Sequence, residues 1–280
     1  MIEQIDIVAA DIDMTLTHKG GELPEIVKDS FRRLHKQGVK LGLATGRVIG
    51  DNLEHAGKDW GLGFDFDFII GMNGGMLYDS EDNSLWKTEL IDSEKMKEIL
   101  NYMMPLIKKY SIAINAEGGD NHSAMNITGD LLASAKRHGF IFEDKTGDVD
   151  GFCEKPAFKL LFRTEPENEQ EIRDYFNARY GEEWQIVGTY PGTVEIFRKG
   201  FNKGTGLVRY ANKYGINMNH VIAFGDSEND NELLKEAGWG VCLKNGADGT
   251  KAIADDITEY ACADGGVGHY LIDHYLAAAN

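Results

Sequence analysis

Three short apolar runs near the start of the chain, each ending in polar or small residues, set the first expectation about the fold. Ile5 to Asp13 reads IDIVAADID, an apolar, β-branched run closing on two carboxylates, as a buried parallel strand does. Val39 to Thr45 (VKLGLAT) and Phe66 to Met72 (FDFIIGM) repeat that texture. Between the first two the period changes. From Pro24 to Gln37 the apolar residues Ile26, Val27, Phe31 and Leu34 recur at helical spacing, with Pro24 suited to the first turn and Gly38 closing the segment. Strand, helix, strand with short connections predicts a parallel sheet with right-handed crossovers.

The same texture returns after Lys203: a helix from Thr205 to Tyr214, the strand VIAFGD, a helix beginning near Asn229, the strand GVCLKN and a final helix after Gly268. The middle differs. A helix near Ser93 to Tyr110, short strands around Ile112 and Met125, and the runs FKLLFR, WQIVG and TVEIFR alternate helices with hairpin-like pairs. The expectation is an α/β protein. Residues 1–80 and 201–280 would build a Rossmann-like parallel-sheet core, and residues 81–200 an inserted α+β domain with an antiparallel sheet. Hinges are expected near Asp79 to Asn83 and Lys199 to Phe201. An insertion over the carboxyl edge of such a sheet commonly forms a lid.

A length of 280 residues suits two domains better than one. No apolar run approaches the roughly 20 residues that cross a bilayer, and Met1 leads into alternating Ile and Asp rather than a basic, then apolar, signal segment, so the cytoplasm is expected. Cys153, Cys242 and Cys262 are odd in number and widely spaced, which indicates neither a disulfide framework nor a zinc site but small buried hydrophobes. A formal net charge of -17 excludes nucleic acid and anionic membranes as partners, since no basic stripe exists to displace counterions from phosphates. A phosphate substrate is still allowed. At physiological salt the Debye length is about 8 Å, so a metal and a lysine at contact decide the local field, not the diffuse charge.

Four clusters fall where strands end. Asp11-Ile12-Asp13-Met14-Thr15 closes the first; a bare DxD also caps helices or solvates loops, so its position matters more than the motif. Thr45-Gly46-Arg47 closes the second, where a hydroxyl and backbone N–H groups can hold phosphoryl oxygens. Lys203-Gly204 opens a helix, and its ammonium can neutralise a phosphate and a nearby carboxylate. Gly225-Asp226-Ser227-Glu228-Asn229-Asp230 offers hard oxygen ligands suited to Mg²⁺. A calcium loop does not fit, because the sixth and twelfth places from Asp226 hold Asn231 and Ala237 rather than Gly and Glu.

In this order on successive strand ends, the four clusters resemble the motifs of the haloacid dehalogenase superfamily. The 34 positions from Asp11 to Thr45 (45 − 11) and the 158 from Thr45 to Lys203 (203 − 45) resemble its Cof-type branch, with a large cap between the second and third motifs. NGG at Asn73, EIFRKGFNKG at Glu195, NG at Asn245 and DGGVG at Asp264 extend the likeness over nearly the whole chain. The resemblance implies a phosphatase in which Asp11 is the nucleophile and Asp13 the general acid/base. Mg²⁺ would be held by Asp11, the Asp13 backbone carbonyl and Asp226, with Asp230 behind them. Thr45, Gly46, Lys203 and Asn229 would bind the phosphoryl group, and Arg47 would add charge at the rim. The substrate would be a small phosphate monoester, such as a sugar phosphate or phosphorylated cofactor, selected by the cap. Met14 departs from the glycine most common at its position: right-handed helical geometry would tolerate it, whereas a positive φ would cost of order 1–3 kcal/mol.

Two other readings use the same residues. A phosphomutase acting on a hexose phosphate would return the phosphoryl group to its substrate, and a non-catalytic phospho-ligand sensor would bind without turnover. A metal-dependent glycosyltransferase could use DxD but leaves Lys203 and the Asp226 cluster unexplained. The sequence leaves the physiological ester and the oligomeric state open.

Overall fold

The computed structural model describes residues 2–18, 21–118, 121–138 and 141–276. The chain divides into two compact units, Met1–Thr88 with Phe201–Asn280, and Glu89–Gly200.

An eight-stranded sheet forms the centre of the first unit, in the order Asp256–Ile257, Trp239–Cys242, Val221–Gly225, Ile7–Ala10, Lys40–Ala44, Phe68–Gly71, Met76–Asp79, Ser84–Lys87. The first six strands are parallel and the last two antiparallel. Ile7 pairs with Val221 and Ala10 with Phe224, and from this central pair the chain adds strands in opposite directions. Open α/β sheets bind ligands beyond the carboxyl ends of strands at such a reversal. Both central strands are buried throughout. On one face Ile7, Ala9, Val221 and Ala223 pack with Leu207, Tyr210 and Ala211 of the helix Lys203–Tyr214 and with Leu233 and Leu234 of Asn231–Glu236.

Two glycines let neighbouring elements approach closely here. A Cβ on Gly204 would lie 2.4 Å from the Glu232 carbonyl oxygen, and one on Gly225 would lie 2.4 Å from Asp230 Cβ. The helix expected from Thr205 begins at Lys203, because Asn202 caps it: the Asn202 side chain accepts from Thr205 N at 2.8 Å, and Thr205 Oγ1 accepts from Asn202 N at 3.0 Å.

At Asp79 to Asn83, where the sequence suggests a hinge, the chain instead turns between Met76–Asp79 and Ser84–Lys87, so residues 81–88 belong with the first unit. The turn is anchored. Asp79 is buried and accepts from Lys213 Nζ at 2.6 Å and from Tyr214 Oη at 2.7 Å. Polar, acidic residues serve a tight turn as well as a linker, and composition alone does not separate the two.

The second unit carries a six-stranded sheet ordered Trp184–Tyr190, Thr193–Arg198, Lys159–Arg163, Ala113–Glu117, Ser123–Met125, Glu143–Asp144, antiparallel except for the last pair. One face is apolar. Ile114, Leu160, Phe162, Val194 and Ile196 meet Met96, Ile99, Leu100 and Met103 of the helix Ser93–Tyr110 and Ile172 and Phe176 of Glu169–Tyr180. The long helix is set by its cap, since the Asp92 side chain accepts from Lys95 N at 2.7 Å.

Among the described residues no helix is long and apolar enough to cross a membrane. All three cysteines are free and buried, and burial pushes the Cys153 and Cys262 thiols up to about 11 and Cys242 to about 12.

Candidate active site

The two central strands deliver carboxylates to one end of the sheet. Asp11 follows Ile7–Ala10, its N–H donating to Phe224 O at 3.0 Å as though the ladder continued, and Asp226 follows Val221–Gly225. Asp230 comes from the short turn Glu228–Asp230, brought close by the missing side chain at Gly225. Lys203 joins them from the first turn of its helix, donating to Asp11 Oδ1 at 2.7 Å and to Asp230 Oδ1 at 2.5 Å. The ammonium is 1% exposed.

Charge does not balance here. Oxygens of Asp11, Asp226 and Asp230 lie within 4.8 Å of one another around a single lysine, an excess of two negative charges when all are ionised (3 − 1 = 2). Burial pushes the Asp11 carboxyl well above the usual range; Lys203 pulls it down, while Asp230, Asp226 and Asp13 push it further up. Burial, then Asp230, raises Asp226 to about 7 against the opposing Thr15 hydroxyl. For Lys203 burial works against the charge, but Asp11 and Asp230 outweigh it and hold the ammonium protonated. A divalent cation would cancel the surplus.

The donor set fits one. Asp230 is already committed: besides Lys203 at Oδ1, its Oδ2 accepts the N–H groups of Asp226 at 2.9 Å and Ser227 at 3.1 Å. Asp226 gives Oδ1 to the Thr15 hydroxyl at 2.7 Å, and Asp11 gives Oδ1 to Lys203. Among the described residues this leaves the second oxygens of Asp11 and Asp226 without protein donors, hard ligands of the kind Mg²⁺ prefers.

A chain of polar contacts links most of the residues singled out from the sequence. Arg47 donates to Asp13, Nε to Oδ2 at 2.9 Å and Nη2 to Oδ1 at 2.6 Å, and its backbone N–H donates to Thr45 Oγ1 at 3.2 Å, spanning Gly46. Asn73 N donates to Thr45 O at 3.1 Å, and Asn229 Nδ2 to Asn73 Oδ1 at 3.0 Å. Ser227 Oγ donates to Asn229 Oδ1 at 2.7 Å, and the Thr15 hydroxyl donates to Asp226 Oδ1. Arg47 thus brings its charge to Asp13.

Three members of this region were not assigned a role from the sequence: Thr15, Asn73 and Asn245. Asn73 is buried with φ 53, a left-handed conformation that asparagine tolerates, and its place between Met72 and two glycines is the signal that could have marked it. Asn245 donates through Nδ2 to the Met14 carbonyl at 2.8 Å and accepts the Cys262 N–H at 2.8 Å. Met14 has φ 66, so the unfavourable alternative for this residue is the one adopted. A second tie fixes it: Met14 N donates to Thr17 O at 2.7 Å.

The family model for haloacid dehalogenase-like hydrolases matches residues 8–271. The chain belongs to this family. Among similar proteins, 5-amino-6-(5-phospho-D-ribitylamino)uracil phosphatase YitU of Bacillus subtilis is 24% identical, the match covering 96% of this chain and 97% of the relative. An HMP-PP phosphatase of Yersinia pestis is 25% identical, with 97% and 96% covered. Of solved structures, a haloacid dehalogenase superfamily phosphatase from Bacteroides thetaiotaomicron superposes with a TM-score of 0.74 at 22% identity, covering 96% of this chain and 95% of the other. A Streptococcus mutans protein superposes with a TM-score of 0.82 at 18% identity, covering 98% and 100%. The fold is that of the haloacid dehalogenase-like hydrolases.

Proposed function

We propose that this enzyme, a phosphatase of the haloacid dehalogenase-like family, hydrolyses a small phosphate monoester through a phosphorylated Asp11. The observation that carries the reading is the surplus of buried carboxylate around Lys203 at the reversal point of the sheet. Phosphoryl transfer needs positioning and charge neutralisation more than covalent chemistry, and a structural core would not retain this imbalance without a use for it.

Asp11 attacks phosphorus through a carboxylate oxygen, and the bond to the leaving oxygen breaks as the new one forms. Asp13 gives that oxygen a proton, then takes one from the water that cleaves the aspartyl-phosphate, one group alternating between acid and base. Thr45, Gly46 and Asn229 hold the phosphoryl oxygens, and Lys203 offsets their charge. Magnesium, held by Asp11, the Asp13 carbonyl and Asp226, would neutralise charge developing on the phosphoryl group. The inserted unit would choose among esters. Relatives named for a phosphoribitylaminouracil and for HMP-PP support a small phosphorylated metabolite as substrate.

The test is Asp11→Asn, measured by phosphate release from a panel of phosphorylated metabolites with and without Mg²⁺. The wild type should release phosphate only with the cation and the variant should release none. Undiminished turnover in the variant would refute the covalent route.

A further inference from the structure

The guanidinium of Arg47 occupies both oxygens of Asp13, Nε on Oδ2 and Nη2 on Oδ1. A side-on fork of this kind uses an in-plane lone pair of each oxygen. The carboxyl assigned to the leaving group therefore faces Arg47 with both oxygens.

This pair differs from the other ion pair at the site. Arg47 and Asp13 are each 29% exposed, whereas Lys203 and Asp11 are 1% and 8% exposed. Water and salt weaken an accessible pair far more than a buried one. The root of the Arg47 side chain is fixed nevertheless, since its N–H donates to Thr45 Oγ1 and its carbonyl accepts from Met72 N at 2.9 Å. A change of partner needs only rotation of the side chain. The alternative partner is close in sequence and charge: a phosphoryl dianion held at Thr45 and Gly46 arrives two residues from Arg47, and it suits the planar fork as well as a carboxylate while carrying more charge.

We propose that Arg47 is a positioning residue that changes partner. Without substrate it holds Asp13; when a phosphoryl group binds, the guanidinium turns to its oxygens and Asp13 is released to face the leaving oxygen. The inference rests on the phosphatase reading of the site. It makes part of the binding energy of phosphate the cost of separating Arg47 from Asp13, so the apparent affinity is lowered by the fraction of molecules in the paired state.

A double-mutant cycle reads this directly. Binding of inorganic phosphate in the presence of Mg²⁺ is measured by calorimetry for the wild type, Arg47→Gln, Asp13→Asn and the double variant, each first checked by thermal melting. Arg47→Gln should weaken binding about tenfold, as loss of a charge-assisted fork does. Asp13→Asn should tighten it about fivefold by freeing Arg47 in advance. In the Arg47→Gln background the same change should have almost no effect. Equal tightening in both backgrounds overturns the proposal, because simple removal of a negative charge then explains it. So does an Arg47→Gln variant with unchanged affinity, or a wild type that turns over substrate without binding phosphate at all. Phosphate release that depends on Asp11, measured separately, decides the phosphatase reading: with it intact, a failed cycle removes only the exchange.

Discussion

Each unit buries one lysine between two carboxylates, and only one of these arrangements has the character of a reaction centre. Lys203 bridges Asp11 and Asp230 in the core; Lys159, 3% exposed, lies 3.1 Å from Glu195 and 3.3 Å from Glu117 in the inserted unit. Charge count separates them. Among the described residues, the two glutamates around Lys159 meet two cations, because Arg163 also acts on Glu117, a sum of zero (2 − 2). Burial would raise Glu117, yet Lys159 and Arg163 outweigh it and hold the carboxyl below its usual range. In the core burial pushes Asp11 and Asp226 up, and with three carboxylates sharing one cation Lys203 does not reverse it. Burial of a lysine is thus not diagnostic. Uncancelled charge at the strand ends is.

The largest expected effect comes from removing each lysine in turn. A unit charge pair at 4 Å and an effective dielectric near 20 is worth about 4 kcal/mol, so Lys203→Met should lower kcat/KM by about 10³-fold. Lys159→Met removes one partner of a balanced buried network and should cost about 3–5 kcal/mol of stability, with little change in turnover per folded molecule. Specific activity and urea unfolding of both variants check the contrast. Loss of rate without loss of stability in Lys159→Met would make that lysine a substrate group and erase the distinction.

A smaller effect, visible without mutation, follows from the raised carboxyls. Asp226 sits near 7 in the folded chain against an ordinary value of 3.8, and Asp11 is displaced in the same direction. Between those values the unfolded chain has lost the proton that the folded chain keeps, so these groups make the cation-free protein less stable as pH rises from about 4 to about 7. Lys203 does not oppose this, since its stabilising contribution fades only above the ordinary lysine range. A bound cation relieves the repulsion and adds its own binding energy. Melting in EDTA and in Mg²⁺ should therefore differ little at pH 5 and by several degrees at pH 8. An equal shift at both pH values, or none, would mean the surplus charge is not what binds metal.

How much of this contrast the sequence carries depends on range. Asp11, Thr45 and Asp226 were legible because strand ends are read from local pattern, and the sheet then brings those ends together. The contact between Thr15 and Asp226 spans 211 positions and has no local signal. Arg47 was visible as a charge, but its pairing with Asp13 depends on the register of two strands. The turn at Asp79 to Asn83 is ambiguous for the opposite reason: its local signal is strong, and it suits a turn and a linker equally.

Backbone strain extends the comparison to the smallest effect. In the inserted unit the described non-glycine residues with positive φ are Ser111 and Asn126, polar residues that can bond locally in that conformation. The core has Met14 at φ 66, directly after Asp13, where methionine gains no such bond from its own side chain. Left-handed geometry costs such a residue about 1–2 kcal/mol, and the ties from Asn245 and Thr17 keep it there. Met14→Gly removes that cost but adds unfolded-chain freedom worth about 0.4–1 kcal/mol, so the net gain should be about 0–1.6 kcal/mol, or at most a few degrees in Tm. Met14→Ala keeps the Cβ and should gain nothing. A glycine variant that melts lower than the wild type, or an alanine variant that melts as high as the glycine one, would place the cost of this loop somewhere other than the Met14 backbone.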